Sequence, residues 1–220
     1  MQHKKRKAGF TIAIGGLLAG LLWAGLLWED PVFAQPATAA STAPAASIVP
    51  VVATGVDDAA KTAFDQMMDV VAHKRCVNCH PSGDQPNQGE DSHPHRFGVQ
   101  RGADGFGAAG LQCSTCHQTE NNTTSGVPGA PHWHLAPRSM GWEGLSRADI
   151  ARAMIDRSKN GGRSLAEIEK HLTEDALVLW VFEPGVNHEG IPREKPPVSK
   201  TAYIEAVKSW IAAGAPIPEN

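Results

Sequence analysis

The chain has 220 residues, 20 of them basic and 23 acidic, for a net charge of −3 with histidine neutral. With no basic stripe and no aromatic stacking motif, that balance gives no footing for nucleic-acid binding. Only four cysteines are present against 10 histidines, which directs attention to thiol and imidazole chemistry.

The N-terminus reads as an export element. Lys4, Lys5, Arg6 and Lys7 precede an apolar run from Phe10 to Trp28, and Val32-Phe33-Ala34 offers the small residues a signal peptidase needs before Gln35. An ordinary signal core has about 7–15 apolar residues, and this run is longer. At about 1.5 Å per residue it also reaches across a bilayer core of about 30 Å. Residues 1–34 are therefore expected to be a cleaved signal peptide or an uncleaved membrane anchor, and both leave the rest of the chain outside the cytoplasm. The expected location is periplasmic, either soluble after cleavage or tethered to the inner membrane. Residues 35–55 are rich in Ala, Pro, Ser and Thr, without periodicity, and read as a flexible linker. The first 34 residues hold four of the 20 basic and two of the 23 acidic residues, so the remainder carries 16 against 21, net −5. Basic docking surfaces on partners complement such a domain.

About four helices are expected in the folded part, residues 56–220. The first runs from about Asp57 to His73, with Ala60, Phe64, Met67, Met68 and Val71 on one face. From Pro81 to Gly144 the composition is Gly, Pro, Asn, Ser and His, which predicts loop. Ser146 with Asp149 opens a second helix that Asn160-Gly161-Gly162 stops, and Ser164 with Glu167 opens a third, broken near Thr173 and ended by Pro184-Gly185. The last runs from about Ser199 to Ala213, with Tyr203, Ala206, Val207, Trp210 and Ile211 as its stripe. No strand alternation is evident, so the expected class is mainly α and loop-rich.

Two pentapeptides organise the chemistry: Cys76-Val77-Asn78-Cys79-His80 and Cys113-Ser114-Thr115-Cys116-His117. This is the c-type haem attachment spacing. Two thiols three positions apart reach two vinyl groups on one porphyrin edge, and the next residue presents imidazole to the iron. Both motifs together use every cysteine, so two covalently bound haem c groups are expected. A thioredoxin-like dithiol needs a βαβ context that neither motif has. A shared zinc site leaves both trailing histidines unexplained, and structural disulfides do not need them.

Each iron then has one further axial position. Outside the leader and the motifs stand His73, His93, His95, His132, His134, His171 and His188. His95 and His134 lie in stiff loops near a motif and are the expected sixth ligands, without assignment to one haem or the other. His73, His171 and Met140 are the alternatives. Met67 and Met68 belong to a helix stripe and read as core, while His93 and His188 read as ordinary loop residues. Arg96, Arg101 and Arg138 are candidate partners of haem propionates.

The runs Val99 to Gly107, Cys113 to Gln118 and Trp133 to Pro137 resemble a family of bacterial diheme cytochromes, often labelled as a cytochrome subunit of isoquinoline 1-oxidoreductase-type molybdenum hydroxylases. The likeness covers about Asp57 to Pro218. It implies a diheme cytochrome c domain that accepts electrons from a periplasmic dehydrogenase. A more distant likeness is to the small diheme subunit of periplasmic nitrate reductase. The expected function is electron relay between a dehydrogenase or reductase and a quinol or cytochrome partner in the respiratory membrane, with no catalytic residues. The alternatives are a diheme peroxidase-like enzyme, with Glu120 or Glu143 as distal acid–base group, and a redox or gas sensor.

Overall fold

The computed structural model describes residues 54–219, so the expected leader and nearly all of the linker lie outside the described residues. Six helices occur there: α1 (Thr54–Val71), α2 (Lys74–Val77), α3 (Arg147–Ile155), α4 (Leu165–Glu174), α5 (Ala176–Leu179) and α6 (Lys200–Ala212). Among the described residues no helix is long and apolar enough to cross a membrane.

The closest packing is between α1 and α6. Phe64, Met67, Met68 and Val71 meet Tyr203, Ala206, Val207 and Trp210 in one buried cluster, joined by Ile150 and Met154 of α3 and Ile168 and Leu172 of α4. Each large side chain buried fully in this seam contributes about 1.5–3 kcal/mol relative to an exposed one. Trp210 also donates its indole N–H to the Pro216 carbonyl at 2.8 Å, so its burial strands no polar atom. Ile211, expected in the stripe, is only partly buried.

Serines start the helices as the sequence foretold. Ser146 accepts from the Asp149 amide at 3.1 Å, and Ser199 accepts from the Ala202 amide at 3.2 Å. Ser164 and Glu167 form a reciprocal capping box, with the Ser164 amide on Glu167 Oε2 at 2.8 Å. Asn160 closes the turn after α3 from the interior: its buried amide bonds the Met154 carbonyl at 2.8 Å and the Arg163 amide at 2.7 Å.

Several expectations need correction. The first helix starts at Thr54, inside the expected linker, and ends at Val71. The third helix breaks near Thr173 as expected, at Asp175, because the Asp175 carboxylate caps the new turn α5 through the Leu177 amide at 2.9 Å. Six helices replace the expected four, since α2 and α5 are single turns too short for any periodicity. Two antiparallel hairpins appear where no strand was expected: β1 (Asn87–Gln88) with β2 (His93–Pro94), and β3 (Gly107–Ala108) with β4 (Leu111–Gln112). Two-residue strands have no alternation to read. Gly107 sits at φ 100°, and a Cβ there would come within 2.7 Å of the Leu111 carbonyl oxygen, so only glycine makes that hairpin.

Trp210→Ala is expected to cost about 3–5 kcal/mol of stability. Ser164→Ala is expected to cost about 1 kcal/mol. Equilibrium denaturation of the two variants checks both values and their order.

Candidate haem sites

The first motif begins on α2 and leaves it in a tight turn. The Cys79 amide bonds the Cys76 carbonyl at 3.0 Å and the His80 amide bonds the Val77 carbonyl at 2.9 Å. Cys76, Cys79 and His80 thereby line one cavity, walled further by Val71, Tyr203, Ile168 and Leu172 from the core and by His134, Met140, Trp142 and His171. It holds about 1010 Å³ of space between atoms, part of it open to solvent. Burial pushes the Cys76 thiol up to about 12 and the Cys79 thiol up to about 11.

The second motif follows β4 directly. Cys113–Thr115 forms a single 3-10 turn, closed by the His117 amide on the Cys113 carbonyl at 2.9 Å. This site is more open, and Cys116 is exposed. The two motifs are neighbours: the Ala136 amide bonds the Cys79 carbonyl, and the adjacent Leu135 amide bonds the Gly105 carbonyl that Cys113 Sγ approaches at 3.9 Å.

Both motif histidines are held the same way. His80 donates Nδ1–H to the Met140 carbonyl at 2.7 Å, and His117 donates Nδ1–H to the Pro128 carbonyl at 2.8 Å. A carbonyl can only accept, so the proton sits on Nδ1 and the lone pair on Nε2. Burial lowers both imidazoles, His80 to about 3, and keeps them neutral and able to ligate. Each ring lies flat on an indole: His80 on Trp142 at 3.4 Å and 13°, His117 on Trp133 at 4.5 Å and 4°.

The loop from Pro128 to Trp142 supplies these contacts to both motifs. Besides the two carbonyls and two indoles, the Trp142 amide bonds the His80 carbonyl at 2.8 Å and the Ala136 amide bonds the Cys79 carbonyl at 3.2 Å. Near the second motif the Leu135 amide bonds the Gly105 carbonyl at 2.9 Å. Trp133 meets Trp180 edge-on at 5.1 Å, and Trp180 lines the first cavity.

Of the candidate sixth ligands, the structure brings four near a motif histidine. His95 faces His117 with ring centres 6.1 Å apart. His95 gives its Nδ1 proton to the Arg96 carbonyl at 2.8 Å, which leaves Nε2 free. Two metal–nitrogen bonds of about 2.0–2.1 Å and the half-widths of two imidazoles together span about 6 Å. The pair's centroid spacing is of that size, with the rings edge-on at 69°. His134 and His171 both line the first cavity. Met140 lines it too, but its carbonyl lies behind the His80 ring. His73 is outside it, capping α2 through the Arg75 amide at 3.2 Å and meeting Glu194 at 3.4 Å.

The remaining candidates go elsewhere. His93 uses both nitrogens, on Asp91 at 2.6 Å and Gln88 at 3.1 Å, while His132 and His188 are exposed. Arg101 is buried and bonds the Gly83 carbonyl at 2.9 Å and the Ala136 carbonyl, which makes it an internal brace; Arg138 pairs with Asp84, and Arg96 is exposed. Glu143 accepts from the Ser82 hydroxyl at 2.7 Å and from Asn87 at 3.1 Å, bonds that hold its carboxyl below the usual range. Glu120 is exposed.

Sequence reasoning missed the two stacked tryptophans, Asn121 and the cavity-lining Arg75 and Arg163, none of which stands at a motif position. Trp142 fits a polar-edged cofactor: its buried Nε1 has no hydrogen-bond partner among the described residues, and a propionate is an acceptor of the right kind. Among the described residues no three His, Cys, Asp or Glu side chains converge on a bare metal ion. No family model, no curated protein and no solved structure matches this chain.

Asn121 ties the second motif's loop to the first cavity. Its Oδ1 accepts from Trp180 Nε1 at 2.8 Å and from the Gly129 amide at 3.1 Å, and its Nδ2 donates to the Glu183 carbonyl at 2.9 Å. Asn121→Ala strands two donors and is expected to destabilise the protein by about 1–3 kcal/mol, read by thermal denaturation.

Proposed function

We propose that the chain is a diheme c-type cytochrome that relays electrons between redox proteins outside the cytoplasm. Cys76 and Cys79 bond one haem, with His80 as axial ligand; Cys113 and Cys116 bond the other, with His117. The observation that carries this reading is common to both motifs. In each, the closing histidine gives its Nδ1 proton to a backbone carbonyl and rests on an indole, at 2.7 Å from Met140 and 2.8 Å from Pro128. Such a bond fixes the tautomer and strengthens Nε2 as a donor, as axial ligation requires. Dithiol or disulfide uses of the thiols give no reason for it. The 6.1 Å spacing supports His95 as the sixth ligand of the second haem.

Bound haem c supplies a reversible one-electron couple whose potential follows axial ligands, burial and hydrogen bonds. The chain's residues do the rest. Trp142, Tyr203 and Leu172 keep water from the first site, and the open second motif offers an edge to a partner. The adjacent motifs suit transfer from one site to the other. A periplasmic dehydrogenase or reductase and a quinol or cytochrome partner in the respiratory membrane are the proposed donor and acceptor. The folded part's net charge of −5 suits basic docking patches on them. The protein is soluble after signal cleavage or tethered by residues 10–28.

Protein produced with a c-type maturation system is expected to carry the mass of two haems, and the Cys113→Ala, Cys116→Ala double variant the mass of one. Colourless wild-type protein sinks the proposal. Ferrous protein is expected to keep its spectrum under carbon monoxide; a rapid adduct rejects the carrier role in favour of a haem enzyme or sensor. Met140→Leu is expected to leave both midpoint potentials in place, since its carbonyl rather than its sulfur meets His80.

A further inference from the structure

Resting on that reading, the first site poses a question of its own: what completes its coordination, and what tunes it. The four candidates differ in where they lie and in what holds them. His73 is held outside the cavity by Glu194 and its capping bond. Met140 lines the cavity and accepts the His80 Nδ1 proton on its carbonyl. His134 lines it as well, stacked on Phe106 at 4.8 Å and with Nδ1 on the His132 carbonyl.

His171 differs. It occupies the last turn of α4 and lines the cavity with His80. Its Nδ1 bonds Asp175 Oδ2 at 3.1 Å, and the other carboxylate oxygen is pinned by the Leu177 amide at 2.9 Å. The acid is thus held at both ends and the imidazole is oriented with Nε2 free. The four other oriented imidazoles at the two sites, His80, His117, His95 and His134, rest on neutral carbonyls of Met140, Pro128, Arg96 and His132. Only His171 rests on a charge.

We infer that His171 is the sixth ligand of the haem at His80, and that Asp175 is a positioning residue that orients it and lowers that haem's potential. A carboxylate partner raises the basicity of a ligating imidazole and favours the ferric iron. With both side chains about a third exposed, at 35% and 37%, the pair stabilises the fold little, so its consequence lies in the site.

The test uses the mature diheme protein. Asp175→Asn keeps an equally good N-cap for α5 and removes the charge. Spectroscopic redox titration is expected to show one midpoint raised by about a tenfold change in the ferrous-to-ferric ratio, 59 mV for a one-electron couple, and the other unmoved. His171→Ala is expected to turn one ferric haem high-spin, with imidazole restoring the low-spin spectrum. Two unmoved midpoints in Asp175→Asn overturn the role of Asp175. Two low-spin haems in His171→Ala, or a high-spin haem in His134→Ala, overturn the ligand assignment. If wild-type protein lacks two covalent haems, the proposed function itself falls, a result distinguishable from both.

Discussion

The Nδ1–H···O=C bond at each motif histidine is the constraint on which the rest of the structure depends. An imidazole free to rotate or to swap its proton presents no fixed lone pair. Here the loop from Pro128 to Trp142 removes both freedoms at two sites at once, with one carbonyl near each of its ends. Two stacked indoles fix the ring planes, and backbone amides of the same loop bond the Cys79, His80 and Gly105 carbonyls. A single short segment therefore sets the relative position of both motifs. This explains how a stretch with almost no regular structure is nonetheless ordered.

The helices serve that arrangement from below. The α1–α6 seam buries Met67, Met68, Val207 and Trp210, and the residues at its edge, Val71 and Tyr203, continue as cavity wall. Core packing and site are continuous: α1 ends where α2 delivers Cys76, and α4 ends where His171 and Asp175 meet. The second site has no such floor. It is built from a hairpin, a 3-10 turn and loops, and its exposed Cys116 contrasts with the half-buried cysteines of the first. The first motif is thus the more sheltered of the two.

Much of the organisation was legible in the residues. Motif spacing alone singled out six side chains, because covalent attachment and ligation demand fixed local separations. Helix starts were readable because capping is local chemistry within three residues, as Ser146, Ser164 and Ser199 show. The stripes of α1 and α6 were readable because burial imposes the helical period. The single turns α2 and α5 and the two-residue hairpins were not, since elements that short leave no pattern.

What the sequence by itself determined is the set of local devices: both Cys-x-x-Cys-His motifs, the capped helices, the apolar faces and a loop region rich in histidine. Which histidine meets which motif was decided only by tertiary structure. His95 lies 22 positions before His117 and His171 lies 91 after His80, separations over which no local rule acts. The same holds for the carbonyls of Met140 and Pro128, the indoles of Trp142 and Trp133, and the arginine expected at a propionate, Arg101, that instead braces the interior. Partners brought together by packing leave no spacing to read, because the chain between them is free to take any length the fold accommodates.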